Sequence, residues 1–273
     1  MKKTFLYMIS AALLAASCNN TMIEDPVQYG TLSVSLAGEP GVEVVTKTDP
    51  EGLPDYNVAL YNTDSEGKPV GALFYKRTYA QLEADPFVVE AGKSYCVWAE
   101  SCIPDAAESA NSGYGKPRYE GVSGAVLVEA GRAKTANVTC NVANAKVSVQ
   151  LSDDEETQEA LTDVKVTISK QWTENSSTIT KDVVLEPTKP AWFNPRESST
   201  TYTVEAKSNL QDGKIITGKG TLPALVGRNH YKINVIAESN NGQLTLKVNT
   251  DVNVEFGGNI EVGFNPYDEI INN

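Results

Sequence analysis

From Gly30 onward, apolar and polar residues alternate with a period of two over short runs, and clusters of Gly, Pro, Asn and Asp separate the runs. That period puts one set of side chains on one face of a strand. The runs are Leu32/Val34/Leu36, Tyr56/Val58/Leu60, Tyr95/Val97/Ala99, Val138/Cys140/Val142, Val164/Val166/Ile168, Tyr202/Val204/Ala206 and Ile233/Val235/Ala237. They predict an all-β chain of many short strands. Helix signals are confined to two connectors, Ser152-Asp153-Asp154-Glu155 and Thr78-Tyr79-Ala80-Gln81, each shaped like a capping box. The acidic run Asp153 to Glu156 invites a calcium reading, but a capped and solvated helical turn accounts for it.

The pattern repeats. Tyr95 to Ser101 aligns with Tyr202 to Ser208, and Asp55 to Leu60 aligns with Asp163 to Ile168. Gly121, Gly131-Arg132 and Asn137-Val138 then align with Gly218, Gly227-Arg228 and Asn234-Val235, at a shorter offset. The small, polar stretch Cys102 to Pro117 is the extra loop that explains the change. Two tandem β-sandwich modules follow, residues 30–143 and 144–273, because each copy has several amphipathic strands that must bury one face.

One element recurs a third time. Gly30-Thr31-Leu32-Ser33-Val34-Ser35-Leu36 opens the first module and Ala145-Lys146-Val147-Ser148-Val149-Gln150-Leu151 opens the second. Gly242-Gln243-Leu244-Thr245-Leu246-Lys247-Val248 has the same form, yet too little chain follows it to build a third sandwich. The remainder, Val252/Val254/Phe256 and Ile260/Val262/Phe264 around Gly257-Gly258, is again strand-like, so residues 242–264 read as surplus strands. Either they fold back onto the second module, or one of them pairs with a neighbouring molecule by strand addition, with Leu244, Leu246 and Val248 as the donor face. Such a head-to-tail contact builds filaments.

The 273 residues are 41% apolar, enough for two cores, and the formal net charge of −12 argues against a nucleic-acid partner, which needs a basic surface. His230 is the only histidine, so multi-histidine metal sites are excluded and no metal site is expected. No glycine-rich phosphate loop opens a helix, and no acid/base couple stands out among the 35 carboxylates. The reading is of a non-enzyme without catalytic residues or cofactors. Cys96, Cys102 and Cys140 allow at most one disulfide, Cys96–Cys102 or Cys102–Cys140, and match no metal spacing. Cys140 alternates with valines as a small buried hydrophobe.

The N-terminus begins with Lys2 and Lys3, runs apolar from Phe5 to Ala16 and ends in small residues before Cys18. That is the form of a secretory signal peptide over residues 1–17, with an apolar run shorter than the roughly 20 residues that span a bilayer. Leu14-Ala15-Ala16-Ser17-Cys18 resembles a bacterial lipoprotein lipobox, with Ala15 where leucine is usual. The resemblance implies cleavage and acylation at Cys18 by fatty chains such as palmitate, with residues 18–29 as a lipidated linker. Several acyl chains anchor stably. Removing residues 1–17 takes two lysines and no acid, which moves the net charge to −14. Asn19 after the cysteine implies outer-membrane sorting. Glu24 and Asp25 are candidates for part of a surface-export signal but lie farther from Cys18 than is usual for one, and both the periplasmic and the outer face stay open.

The lipobox, the Tyr95/Val97/Ala99 strand, Pro117-Arg118-Tyr119-Glu120-Gly121 and Cys140-Asn141-Val142-Ala143-Asn144-Ala145-Lys146-Val147-Ser148-Val149 together resemble an uncharacterised family of Bacteroides-type lipoproteins, similar in turn to the fimbrillins. The resemblance covers about Gly30 to Leu151, and Arg118 stands where a second tyrosine is usual. It implies transthyretin-like, Greek-key sandwiches, export as a lipoprotein, and cleavage after a basic residue behind the first strand, which frees a groove for the next subunit's terminal strand. Lys47 sits where that cut would fall. The implied function is a fimbrillin-like structural or adhesive pilus subunit or anchor in the outer membrane, at the cell surface or in a fimbrium, with other pilus subunits as partners. The alternative is a surface glycan-binding lipoprotein that offers Trp98 and Trp192 to host or glycan ligands.

Overall fold

The computed structural model describes residues 26–38, 56–101, 117–185, 187, 189–195, 199–240 and 243–254. Cys18, Lys47 and Cys102 lie outside them, as do the Val44 to Thr48 segment, Gly257-Gly258 and residues 255–273. Among the described residues the chain is all-β apart from two short helices.

In the first half, strands β1 (Tyr29–Gly38), β2 (Asn57–Thr63) and β3 (Pro69–Thr78) precede helix α1 (Tyr79–Ala84). Strands β4 (Phe87–Glu90), β5 (Ser94–Glu100), β6 (Tyr119–Val122), β7 (Val126–Leu127) and β8 (Ala133–Val142) follow. The path of pairing is β3-β2-β5-β6-β8-β1-β4, with β7 beside β5. β8 joins the two layers, because it runs parallel to β1 along most of its length and then pairs with β6 at Asn141 and Val142. Between the layers lie Leu32, Val58, Leu60, Phe87, Val89, Tyr95, Val97, Ala136, Val138 and Cys140.

The second half contains β9 (Ala145–Leu151), α2 (Glu155–Ala160), β10 (Leu161–Glu174), β11 (Ser177–Leu185) and β12 (Ala191–Phe193). It ends with β13 (Ser199–Ser208), β14 (Ile215–Leu222), β15 (Asn229–Asn240) and β16 (Gln243–Val254). Two four-stranded sheets, β11-β10-β13-β14 and β12-β9-β15-β16, enclose a second core of Val147, Val166, Ile168, Val204, Tyr231, Ile233 and Val235. The alternating runs of the sequence thus supply the inward faces of both cores.

The helices obey local rules. Thr78 caps α1 in a complete capping box with Gln81. At α2 the cap is Asp154, two residues beyond the expected Ser152. Its carboxylate accepts the Thr157 N–H at 2.7 Å, and hydrogen bonding with the Ser152 side chain first, then with Thr157, holds the Asp154 carboxyl below its ordinary value. The acidic run is therefore a helix start, as its composition indicated. β10 and β11 are joined through Asn175 and Ser176, both at positive φ, as a two-residue hairpin turn requires.

The repeat is exact in register. A shift of 115 residues carries β1 onto β9 and one of 97 carries β8 onto β15, and these shifts map the pair Leu32–Lys134 onto Val147–Tyr231. Likewise β4 flanks β1 at Leu32–Phe87 as β12 flanks β9 at Val147–Ala191.

Candidate functional site

The opening strand and its later echo occupy different positions. β1 is slotted between β4 and β8: it pairs with β8 from Thr31 to Gly38, and with β4 from Tyr29 to Leu32. Further along, α1 covers it, with the Tyr79 hydroxyl 3.5 Å from the Val34 carbonyl. Burial pushes the Tyr79 hydroxyl above its ordinary value. Leu32 is fully buried, while Val34 and Leu36 pack partly buried against the same core.

β16 does not open a module. It turns back from β15 as an antiparallel hairpin, from Asn240–Gln243 to Asn229–Val254, and among the described residues forms the margin of its sheet. Leu244 is buried, Leu246 and Val248 are half-buried, and Val252 is 43% exposed. Of the two dispositions open to the surplus strand, fold-back onto its own module is the one present. The candidate donor face is therefore held at an edge among the described residues, with its grip on the core fading toward Val252.

The junction between the modules concentrates buried polarity. Asn144 is fully buried: its side-chain oxygen accepts the Arg118 N–H at 3.1 Å, and its carbonyl accepts the Arg228 N–H at 3.0 Å. Arg118, where the resembling family has a tyrosine, is buried between Glu100 and Glu120. It forms a short ion pair with Glu120 and lies 3.6 Å from Glu100. Loss of hydration raises the Glu120 carboxyl above its ordinary value, and Glu100 adds to the rise, while Arg118 opposes both. Sequence reasoning flagged Arg118 only as a departure from pattern. Charges brought together from β5 and β6 carry no local signature.

The tryptophans are not platforms. Trp98 does point away from Tyr95 and Val97, but it is 3% exposed, in a small outer cluster with Ala59, Tyr61 and Cys96. Trp192 is also buried, with the Lys146 ammonium 5.8 Å from its ring centroid. The sequence shows which face a side chain takes, not what covers that face. His230 is buried and hydrogen-bonded to the Ser148 hydroxyl at 2.7 Å. Cys96 and Cys140 are buried free thiols that desolvation pushes up to about 12, too high for a reactive thiolate. Among the described residues no cluster of His, Cys, Asp and Glu is arranged to hold a metal. An open surface hollow lined by Ser152, Asp153, Asp154, Asn234, Asn249 and Asp251 lies over the outer face of β9, β15 and β16.

A family model described as "Domain of unknown function (DUF4493)" matches residues 28–262, well past the Gly30 to Leu151 stretch that carries the sequence resemblance. No curated protein matches the sequence. Among solved structures the chain is similar to a candidate cell adhesion protein from Bacteroides uniformis, at 11% identity and a TM-score of 0.43, over 83% of this chain and 97% of that one. It is similar to the fimbrial anchor protein Mfa2 from Porphyromonas gingivalis, at 12% identity and 0.38, over 84% and 99%. It is also similar to the tip fimbrial protein Mfa3 of that organism with a C-terminal truncation, at 10% and 0.39, over 82% and 98%.

Proposed function

The chain belongs to the DUF4493 family, described as a domain of unknown function, and we propose that this member is a lipid-anchored, fimbrillin-like structural or adhesive subunit or anchor that joins its neighbours by strand addition. The observation that carries the reading is the contrast between β1 and β16. Both have the same apolar pattern, but among the described residues β1 fills an interior slot while β16 lies at a sheet margin.

A cut after Lys47 severs β1 from the rest of its module. Burying a leucine side chain contributes about 1.5–3 kcal/mol, and Leu32 is fully buried, so a vacated slot exposes an apolar groove and unpaired backbone groups on β8 and β4. A strand with the same alternation relieves that exposure, and the chain has one to offer in Leu244, Leu246 and Val248. In this reading acylation at Cys18 holds the protein at the outer membrane before any cut, and an uncut molecule serves as anchor. The acidic net charge fits an exported surface protein with no nucleic-acid role. The buried state of Trp98 and Trp192 removes the feature on which glycan binding rested.

The test is mass spectrometry and unheated gel electrophoresis of the protein extracted from the cell surface. Processing and assembly give a new N-terminus at Thr48 together with SDS-resistant oligomers, and Lys47→Gln loses both. Intact acylated Cys18 in every molecule, with monomers throughout, counts against the reading.

A further inference from the structure

The two modules share strand order and register around β1/β8 and β9/β15, but they differ on the far side of the long strand. In the second module, β15 has β9 on one side and β16 on the other. In the first, β8 has β1 on one side, and on the other, among the described residues, only the end of β6, at Tyr119–Val142 and Glu120–Asn141.

The rest of that edge is bare among the described residues. The Arg132 carbonyl accepts the Thr31 N–H, so even-numbered residues of β8 bond toward β1. Ala133, Thr135 and Asn137 then turn their N–H and C=O groups to the opposite side, where no described strand pairs with them. Exposure agrees: beside β16, the half-buried Lys232, Asn234 and Ile236 of β15 correspond to Thr135, Asn137 and Thr139 of β8, all exposed. The edge also lacks the usual protection, since Thr135 to Thr139 includes no charge, proline or bulge.

The glycines record the same difference. In the second module a Cβ on Gly218 would lie 3.0 Å from Val248, because β16 packs beside β14 there. In the first, its counterpart Gly121 abuts the Thr139 carbonyl directly, because β6 has closed onto the end of β8.

We infer that the outer edge of β8 is an acceptor slot for an antiparallel strand with the sequence of β16, supplied by a second copy of this chain. The occupant follows from the internal repeat. β15 takes β16 with Ile233 opposite Thr250 and Val235 opposite Val248. The same register on β8 sets Ala136 opposite Thr250 and Val138 opposite Val248, with Val252 beside Lys134. Entry displaces the two β6 pairs, so β6 is the latch of the slot. This inference rests on the strand-addition reading, but it names a site that needs no cut after Lys47.

A fluorescent synthetic peptide of residues 242–254, titrated into the full chain, tests it by anisotropy. Saturable binding is expected, and Thr135→Pro, which removes an outward N–H without touching the β1 ladder, weakens it at least tenfold. Should that variant fail to fold, the peptide N-methylated at alternate residues reports instead: one phase of methylation abolishes binding to the unaltered chain and the other retains it. Absence of saturable binding, indifference to Thr135→Pro in a folded variant, or indifference to the phase of methylation overturns the slot. If Lys47-dependent oligomers form all the same, assembly stands and only this site falls.

Discussion

At the scale of single residues, the sharpest constraints lie where β6 meets β8. A Cβ on Gly121 collides with the Thr139 carbonyl, a backbone atom that cannot swing aside. Gly121→Ala is therefore expected to cost about 1–3 kcal/mol, the range for overpacking a filled site, read as a lower urea midpoint at unchanged slope. Glu120 provides a pH test. Its carboxyl is raised by burial, so the folded state holds the proton more tightly than the unfolded chain. The stability it contributes is complete below the ordinary carboxylate range and declines as pH rises through the raised folded value. Urea midpoints of Glu120→Gln relative to the unaltered protein should move in favour of the variant over that window, and a pH-independent difference contradicts the assignment. The thiols give a third check: with Cys102→Ser in place, Cys96 and Cys140 should resist iodoacetamide at mild alkaline pH until the protein unfolds, because burial lifts both to about 12.

At the scale of elements, the alternation in Leu32/Val34/Leu36, Val147/Val149/Leu151 and Leu244/Leu246/Val248 located three strands and their inward faces correctly. It could not tell them apart, because a period of two has no direction. β1 and β9 run parallel to their long neighbours, whereas β16 runs antiparallel to β15. What decides is the connection: Asn240 to Gln243 is short enough only for a hairpin, while parallel neighbours need a long crossover. The capping box at Thr78/Gln81 was legible because both partners lie within one turn. Trp98 was misread because its cover comes from tertiary contact. The fading burial along β16 has its own consequence: Leu244→Ala should cost about 2–5 kcal/mol as a core truncation, whereas Val252→Ser at the exposed end should change the urea midpoint little.

At the scale of the molecule, the repeat visible in the sequence becomes two cores that meet at Asn144, with one module holding a strand that has no counterpart among the described residues of the other. That asymmetry gives the chain a head and a tail. A tail strand that finds a head in the next copy makes an open, non-closing contact, and each added strand brings its own backbone bonds as well as apolar cover. The measurement closest to this claim is amide hydrogen exchange, followed by mass spectrometry, on isolated monomer and on surface-extracted oligomer. The account expects the peptides that contain Ala133 to Thr139 to gain protection on assembly and those of β15 to lose it where β16 has left, while β10 and β13 stay unchanged. Equal exchange of those segments in monomer and oligomer would contradict it.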